Sequence, residues 1–284
     1  MAESGARLPN FLFLGPDKSG STWLHAALSR HPNVYLTDAK DLFFFERYFD
    51  RGLDWYAAQF RKAGPQHEVV GEICPRYLYA RRAPERIHRS LPDVRLMICA
   101  REPTRRAYSS YLYLRRQGKR LGSFSQALDS TPALVKRARY ATLLRPYLER
   151  FGAERIYVGV FDDLQQDPQR FLDGITTWLG LAPVRLPSEL LEPKLPARRA
   201  RSRRLARTAS RGAKRARARG LTITVAKVKN SAAAQRLFYR PLADERPRIT
   251  AADAARIRAA LDPEIRELER TFGLELRRRW GWAT

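Results

Sequence analysis

The sequence contains few of the residues that build disulfide frameworks, metal sites and membrane spans. Its two cysteines, Cys74 and Cys99, form no C-x-x-C pattern and predict no disulfide framework, which is typical of a reducing compartment. The four histidines lack the spacing of metal ligands. No apolar run approaches the roughly 18 residues that span a bilayer, and no signal-peptide pattern opens the sequence. We therefore expect a soluble, cytoplasmic protein without a metal.

Acidic residues are absent from residues 193–243, which contain 16 Lys and Arg residues. This segment supplies most of the net charge of +25 of the 284-residue chain, whose apolar fraction of 44% is ordinary. Three interpretations of its most basic part, residues 198–219, remain open. The three are a solvated surface segment, a cap over bound anionic ligands, and a contact with an anionic membrane or nucleic acid. We predict one domain, residues 1–284, that includes this basic segment.

Short apolar runs alternate with helical patterns along the chain. Apolar runs without alternation predict strands covered on both faces, and four occur: FLFLG (11–15), EVVGE (68–72), VRLMICA (94–100) and IYVGVF (156–161). The helical patterns occupy residues 21–30, 53–62, 103–118 and 167–181. Near the C-terminus, Thr250 predicts the start of one helix and Asp262–Pro263 the start of a second. The alternation predicts an α/β fold in which helices flank a central, mostly parallel sheet.

The first predicted strand leads into the loop GPDKSGST (15–22), which has the composition of an anion-binding loop. In the ATP-binding pattern G-x-x-x-x-G-K-[ST] the lysine follows the second glycine, whereas here Lys18 precedes Gly20. Ser21 and Thr22 begin a predicted helix, whose N-terminal N–H groups attract anions. Taken alone, this loop predicts an anion site and leaves open an ordinary capped loop.

A second candidate anion site lies in CAREPTRRAYSSY (99–111). Arg101 ends a predicted strand, and Ser109 lies about two turns into the helix that Pro103 begins. A guanidinium binds phosphate oxygens through two N–H groups. A structural salt bridge for Arg101 and a solvated position for Ser109 remain open when each is taken singly. Two anion sites at two strand ends suit a nucleotide with phosphates at both ends.

The two motifs together resemble the sulfotransferase family that uses 3′-phosphoadenylyl sulfate (PAPS), in its heparan-sulfate-type and bacterial branch. The resemblance rests on K-S-G-S-T at 18–22 and R-E-P-x-x-R-A-x-S at 101–109, and it extends over residues 10–181 with a weaker C-terminal match. It implies a three-layer, P-loop-like fold. It also implies transfer of a sulfuryl group from PAPS to a hydroxyl, or less readily an amine, of a small molecule, glycan or glycolipid. The product nucleotide is 3′,5′-ADP, and no metal is needed.

The resemblance also implies roles for individual residues. The 5′-phosphosulfate is expected to be held by Lys18, Ser19, Gly20, Ser21 and Thr22, and the 3′-phosphate by Arg101 and Ser109. Lys18 is also expected to stabilise the departing phosphate. The family's catalytic glutamate, in a K-E-x-x-F-F setting, is matched in AKDLFFFE by Asp41, with Lys40 before it. Glu72 is the alternative base. A lysine that relatives carry before their next T-P motif is replaced here by Ile73.

Two other functions remain open. A P-loop nucleotide kinase needs a lysine after Gly20 and a magnesium-binding acid at a strand end, where this sequence has Arg101. A nucleic-acid-binding protein would use the basic segment, but nucleic acid is not the favoured partner. Among the remaining residues, Arg76 is a candidate acceptor contact and His25 is expected to be packed or solvated. The aromatic residues are expected mainly in the core.

Overall fold

The computed structural model describes residues 7–192, 198–200, 212, 239–241 and 247–282. The chain forms two compact units. Unit 1 comprises Met1–Glu102, Arg139–Pro193 and Asp262–Thr284, and unit 2 comprises Pro103–Ala138 and Lys194–Leu261. The basic segment 193–243, with its three open interpretations, lies almost entirely outside the described residues. The single-domain organisation stays a prediction.

Unit 1 contains a five-stranded parallel sheet. Its strands are β1 (Phe11–Gly15), β2 (Val34–Leu36), β3 (Val69–Ile73), β4 (Arg95–Ala100) and β5 (Ile156–Val160). They lie in the order β2-β3-β1-β4-β5, and every neighbouring pair is parallel. In the central strand, Phe11 pairs with Gly71 of β3 and with Arg95 of β4. The predicted α/β class is confirmed, and each of the four predicted strands is found to within one residue at either end.

Helices and single turns connect these strands and form most of unit 2. The helices are α1 (Ser21–Leu28), α2 (Gly52–Ala57), α3 (Ala83–Ser90), α4 (Pro103–Arg116), α5 (Phe124–Ser130), α6 (Ala133–Lys136), α7 (Tyr140–Phe151), α8 (Phe161–Gln166), α9 (Pro168–Leu179), α10 (Ser188–Leu191), α11 (Ala251–Phe272) and α12 (Leu276–Arg279). A π-helical turn covers Phe44–Tyr48, and 3₁₀ turns cover Phe49–Arg51, Ala58–Phe60 and Tyr77–Tyr79. Unit 2 also holds β6 (Arg198–Ala200) and β7 (Tyr239–Pro241), which pair antiparallel.

The core of unit 1 lies between the sheet and the helices that cover it. The first four side chains of β1 are fully buried, as expected for a strand covered on both faces. The apolar cluster that joins β1 and β4 to helices α1 and α9 includes Phe11, Phe13, Trp23, Leu24, Met97, Phe171 and Ile175. This packing fixes the first residues of α1 relative to the end of β1, where the candidate loop lies.

One helix near the C-terminus corrects the sequence prediction. Thr250 caps α11 as predicted, because its Oγ1 accepts from the N–H of Asp253 at 3.0 Å. However, α11 continues through Pro263 instead of restarting there. Buried Ile257, Leu261, Ile265 and Leu268 recur at helical spacing on both sides of the proline, and their burial outweighs its lost hydrogen bond. The carboxylate of Asp262 pairs with Arg266 and Arg277 and caps no helix.

In unit 2, a fully buried arginine of helix α4 forms hydrogen bonds within α4 and to the backbone of α6. Arg106 donates from Nη1 to Oγ of Ser110 at 3.3 Å and from Nη2 to the carbonyl of Leu134. A buried guanidinium needs such partners, because its desolvation is costly. Ser109, the predicted 3′-phosphate contact, lies half-buried on the same helix.

Candidate active site

Three of the predicted site residues follow strands of the unit 1 sheet. Lys18 lies in the loop after β1, Asp41 in the loop after β2, and Arg101 directly after β4. Because the strands are parallel, their carboxyl ends meet at one edge of the sheet, where open α/β sheets bind ligands. Ser109 belongs to unit 2, so its part in the site stays a sequence prediction.

The N-terminus of α1 has the form of an anion site. Its N-cap residue, Gly20, adopts a left-handed conformation with φ of 85° and has no side chain to cap the helix. A Cβ at this position would lie 2.7 Å from Cδ2 of Leu164, which is closer than atoms of side chains approach. The left-handed backbone and this close contact together favour glycine at the position. The first N–H groups of α1, together with the positive end of the helix dipole, suit a bound anion.

The loop between β1 and α1 is supported by a hydrogen bond within it and by one to Tyr79. Ser19 is 1% exposed, and its hydroxyl donates to the carbonyl of Pro16 at 2.7 Å. The Oη of Tyr79 accepts from the N–H of Asp17 at 3.1 Å. Lys18 has a φ of 70°, a left-handed conformation that is costly for a residue with a side chain. Since the Ser19 hydroxyl proton is used inside the loop, a hydrogen bond from Ser19 to an anion falls to its backbone N–H.

Arg101 joins the two predicted anion motifs directly. Its Nη1 donates to the carbonyl of Lys18 at 2.5 Å, and its guanidinium carbon lies 4.3 Å from the ring centroid of Phe161. Its own carbonyl accepts from Oη of Tyr140 at 2.7 Å. These contacts fix both the backbone and the head group of Arg101. The end of β4 is thereby fastened to the loop after β1.

The turn that carries Asp41 is strained and is held by β3. Asp41 and Phe43 have φ of 65° and 58°, both in the left-handed region that L residues seldom adopt. The N–H of Asp41 donates to the carbonyl of Ile73 at 3.0 Å, and the N–H of Leu42 donates to Oε1 of Glu72 at 3.0 Å. Strained backbone persists only where neighbouring groups fix it, and it concentrates at functional sites. Here β3 fixes it.

Glu72 is the buried support of this turn. It is 0% exposed, and its Oε2 accepts from the hydroxyls of Tyr56 and Tyr77 at 2.8 Å each. Burial raises the pKa of Glu72 to about 7, although the three hydrogen-bond donors oppose this shift. Phe44, Phe45, Tyr56 and Tyr77 are themselves fully buried. The expectation that aromatic residues of this region belong to the core is confirmed for these four.

Lys40 contacts the candidate loop in a way that the sequence patterns did not indicate. Its Nζ donates to Oγ of Ser21 at 3.0 Å and to Oγ1 of Thr22 at 2.9 Å. No motif links residues 18 or 19 positions apart, so only the packing of two loops reveals this contact. The neighbouring His25 bonds the carbonyl of Thr37 through Nε2 at 2.9 Å. Burial and the nearby positive charge of Lys40 lower the pKa of His25, which is packed as expected.

Arg76, the candidate acceptor contact, is paired within unit 1. Its Nη2 donates to Oε1 of Glu46 at 2.6 Å, and the side chain is about one third exposed. This hydrogen bond raises the pKa of Arg76 above its ordinary value. A contact with an acceptor stays a prediction.

Two kinds of feature are missing from the part of the chain that the structure describes. None of its groups of His, Cys, Asp and Glu side chains could hold a metal ion. None of its helices is both long and apolar enough to cross a bilayer. The expectations of a metal-free and cytoplasmic protein stay predictions.

A comparison with protein families decides the membership of this chain. The sequence profile described as "Sulfotransferase domain" matches residues 8–193, which is more than half of the chain. The protein belongs to the sulfotransferase family. The matched range contains every residue predicted for the site, and it ends where the basic segment begins. Membership of the predicted family is thereby confirmed.

Curated relatives and solved structures agree with this membership. The sulfotransferase is 31% identical over 106 residues to the membrane-associated sulfotransferase kil1 of Dictyostelium discoideum, covering 37% of this chain and 22% of that protein. It is 29% identical over 186 residues to human heparan sulfate glucosamine 3-O-sulfotransferase 6, covering 63% and 54%. It thus spans about half or less of the length of these relatives.

The fold of a bacterial sulfotransferase resembles that of this chain. The structure from Alicyclobacillus acidocaldarius superposes with a TM-score of 0.57 at 22% identity, covering 81% of this sulfotransferase and 99% of the other. At that identity the likeness concerns the fold alone. The predicted three-layer, P-loop-like architecture is confirmed.

Proposed function

We propose that this protein transfers a sulfuryl group from PAPS to a hydroxyl, or less readily an amine, of an acceptor. The observation that carries the proposal is the hydrogen bond from Arg101 to the carbonyl of Lys18. It brings the two predicted anion-binding motifs together at the edge of the sheet where open α/β sheets bind ligands. Family membership supports the same reaction.

The loop after β1 supplies the groups that a phosphosulfate needs. Gly20 adopts a left-handed conformation that favours glycine, and the helix behind it presents N–H groups and a positive dipole. Lys18 adds a full positive charge. The 5′-phosphosulfate is therefore assigned to residues 18–22, where Ser19 contributes its backbone and Ser21 and Thr22 contribute hydroxyls. The 3′-phosphate is assigned to Arg101, and on the sequence motif alone to Ser109.

The transfer step needs a base for the acceptor proton, an oriented acceptor and a positive charge near the leaving phosphate. Asp41 accepts the proton of the acceptor hydroxyl while the acceptor oxygen forms a bond to sulfur. The bond from sulfur to the bridging oxygen breaks, and its electron pair stays with the 5′-phosphate of 3′,5′-ADP. Lys18 stabilises the negative charge that develops there. The products are the sulfated acceptor, 3′,5′-ADP and a protonated Asp41.

We assign the base to Asp41 because of the surroundings of the two candidate carboxylates. Glu72 is fully buried, and both of its oxygens accept hydrogen bonds from protein groups. Asp41 is half-buried and lies in the loop after β2, at the edge where ligands bind. A base has to come within hydrogen-bond reach of the acceptor proton, which favours the more exposed carboxylate.

For the acceptor, we propose the chemical group that receives the sulfuryl group. The human relative is named as a 3-O-sulfotransferase of heparan sulfate glucosamine, so its reacting group is an oxygen. We propose a hydroxyl acceptor on a small molecule, glycan or glycolipid. A panel of such acceptors, incubated with ³⁵S-labelled PAPS, identifies the class that gains label.

Three variants test the assignment of the site. Lys18→Met and Arg101→Ala are expected to weaken 3′,5′-ADP binding about tenfold or more, because each removes a charged hydrogen-bond donor to a phosphate. Asp41→Asn is expected to retain nucleotide binding and to lose on the order of 100-fold or more in turnover. Calorimetry measures the binding, and label transfer measures the turnover.

A matched control is Lys62→Met, which removes an exposed lysine that pairs with Asp38. It is expected to leave nucleotide binding unchanged. Stabilisation by ATP with Mg²⁺ but not by 3′,5′-ADP would overturn the proposal in favour of a nucleotide kinase. Full turnover by Asp41→Asn would remove Asp41 as the base.

A further inference from the structure

The geometry points to Lys40 as a positioning residue that converts the hydroxyls of Ser21 and Thr22 into hydrogen-bond donors toward the 5′-phosphosulfate. This inference rests on the assignment of that group to residues 18–22 in the proposed function. It adds a residue that lies outside the loop and contacts the loop through space.

The argument starts from the two hydrogen bonds of the Lys40 ammonium. Nζ lies 3.0 Å from Oγ of Ser21 and 2.9 Å from Oγ1 of Thr22, the first two residues of α1. An ammonium group has three protons and no lone pair on nitrogen, so it can only donate. Both hydroxyl oxygens are therefore acceptors in these contacts.

A hydroxyl that accepts from an ammonium keeps its own proton for another partner. Each hydroxyl has one proton and two lone pairs, and Lys40 occupies one lone pair of each. The proton of each hydroxyl then remains to be donated to an anion at the N-terminus of α1. The adjacent positive charge also makes the hydroxyl a stronger donor, because hydrogen bonds in a chain polarise one another.

The backbone around Lys40 is held on both sides, so the side chain starts from a fixed position. The hydroxyl of Thr37 donates to the carbonyl of Ala39 at 2.8 Å. The N–H of Asp41 donates to the carbonyl of Ile73 at 3.0 Å. The loop after β2 is thereby fastened to β3, and its lysine reaches the helix that follows β1. A fixed partner preorganises the hydroxyls before any ligand binds.

Lys40 and Lys18 have different roles in this proposal. Lys18 lies within the loop and is assigned to the developing charge on the leaving phosphate, whereas Lys40 acts through two side chains of α1. Lys40 and Asp41 are consecutive, so one strained turn supplies a cation to the donor side and a carboxylate to the acceptor side.

The test compares two nucleotides that differ only in the 5′-phosphate. Lys40→Met removes the charge at similar size, Lys40→Arg keeps a charged donor, and Lys62→Met is the surface control. Binding of 3′,5′-ADP and of adenosine 3′-phosphate is measured by calorimetry for each. Lys40→Met is expected to weaken the binding of 3′,5′-ADP about tenfold and to leave the binding of adenosine 3′-phosphate unchanged. Only 3′,5′-ADP has the 5′-phosphate that contacts the two hydroxyls. Lys40→Arg is expected to recover part of the loss.

A second comparison separates the hydroxyl-mediated role from a direct one. In a Ser21→Ala/Thr22→Val background, adding Lys40→Met is expected to change 3′,5′-ADP binding less than twofold, since the groups through which Lys40 acts are already gone. An undiminished tenfold effect in that background overturns the inference. Equal losses for both nucleotides also overturn it, because they indicate a general disturbance of the fold.

The variants also distinguish failure of this inference from failure of the proposed function. If Lys18→Met weakens 3′,5′-ADP binding and Lys40→Met does not, the loop binds the phosphate and only the role of Lys40 is wrong. If neither variant changes the binding, the loop is not the phosphate site and the proposed function is wrong as well.

Discussion

The substitution Glu72→Gln tests whether burial of this carboxyl governs the pH dependence of stability. Glutamine has nearly the same shape, and its amide oxygen can accept from the N–H of Leu42 as Glu72 does. Its NH₂ group can donate to the hydroxyls of Tyr56 and Tyr77, which also accept. The substitution thus removes the titrating group at nearly the same shape. The two phenol protons lose the acceptor that Oε2 provides, and this cost does not depend on pH, so the slope of the pH profile still reports the titration.

The magnitude follows from the shifted pKa. Burial raises the pKa of Glu72 from 4.5 to about 7, so between these values the folded state binds more protons than the unfolded state. The contribution of Glu72 to the unfolding free energy is therefore fully present below pH 4.5. It is lost as the pH rises through the folded pKa of about 7. The decrease amounts to about 3 kcal/mol for a shift of this size.

The assay is chemical denaturation of wild type and Glu72→Gln at intervals from pH 4 to 8. The variant is expected to gain about 3 kcal/mol relative to wild type across that range, since its side chain stays neutral. Glu85→Gln, which removes an exposed carboxylate on α3, serves as the control for a change in net charge. Parallel pH profiles for wild type and Glu72→Gln would refute the reasoning.

Three further predictions concern other contacts. Gly20→Ala is expected to lose about 2 kcal/mol of unfolding free energy and to bind 3′,5′-ADP less tightly. Gly180→Ala, at a glycine that shares the left-handed conformation but has no neighbour within 4 Å, is expected to lose less stability and keep nucleotide binding. Tyr140→Phe is expected to lose about 1 kcal/mol and to weaken 3′,5′-ADP binding by releasing Arg101, whereas Tyr147→Phe on the same helix is expected to lose only stability. Burial raises the pKa of both cysteine thiols, so neither is expected to react with Ellman's reagent at pH 8 until the chain is unfolded; rapid labelling of the native protein would contradict this.

The sequence predicted those parts of the fold whose signal is local. The central strand Phe11–Gly15 was predicted without error, because a continuous apolar run between a polar stretch and a glycine-containing loop is distinctive. Strand Val34–Leu36 was missed, because three residues are too few to show a pattern. The predicted helix break at Pro263 was wrong, because apolar residues on either side of it continue one buried face.

The site divides in the same way. Lys18 and Arg101 could be proposed from the sequence because each belongs to a contiguous motif, and the structure places both motifs after strands of the sheet. The contact of Lys40 with Ser21 and Thr22 could not be predicted, because it joins two loops that only the sheet order brings together. Glu72 was expected as an alternative base, but the sequence could not indicate that three donors from separate segments surround it.

The sequence by itself determined the α/β class and the resemblance to sulfotransferases, and it predicted the anion-binding chemistry of residues 18–22, because these depend on residue types at short spacing. The tertiary structure decided which groups support that chemistry. Strand β3 holds the strained turn of Asp41, Arg101 fastens the loop of Lys18, and Lys40 reaches the start of α1. Such contacts depend on distances between segments, which are fixed only when the sheet and its covering helices pack.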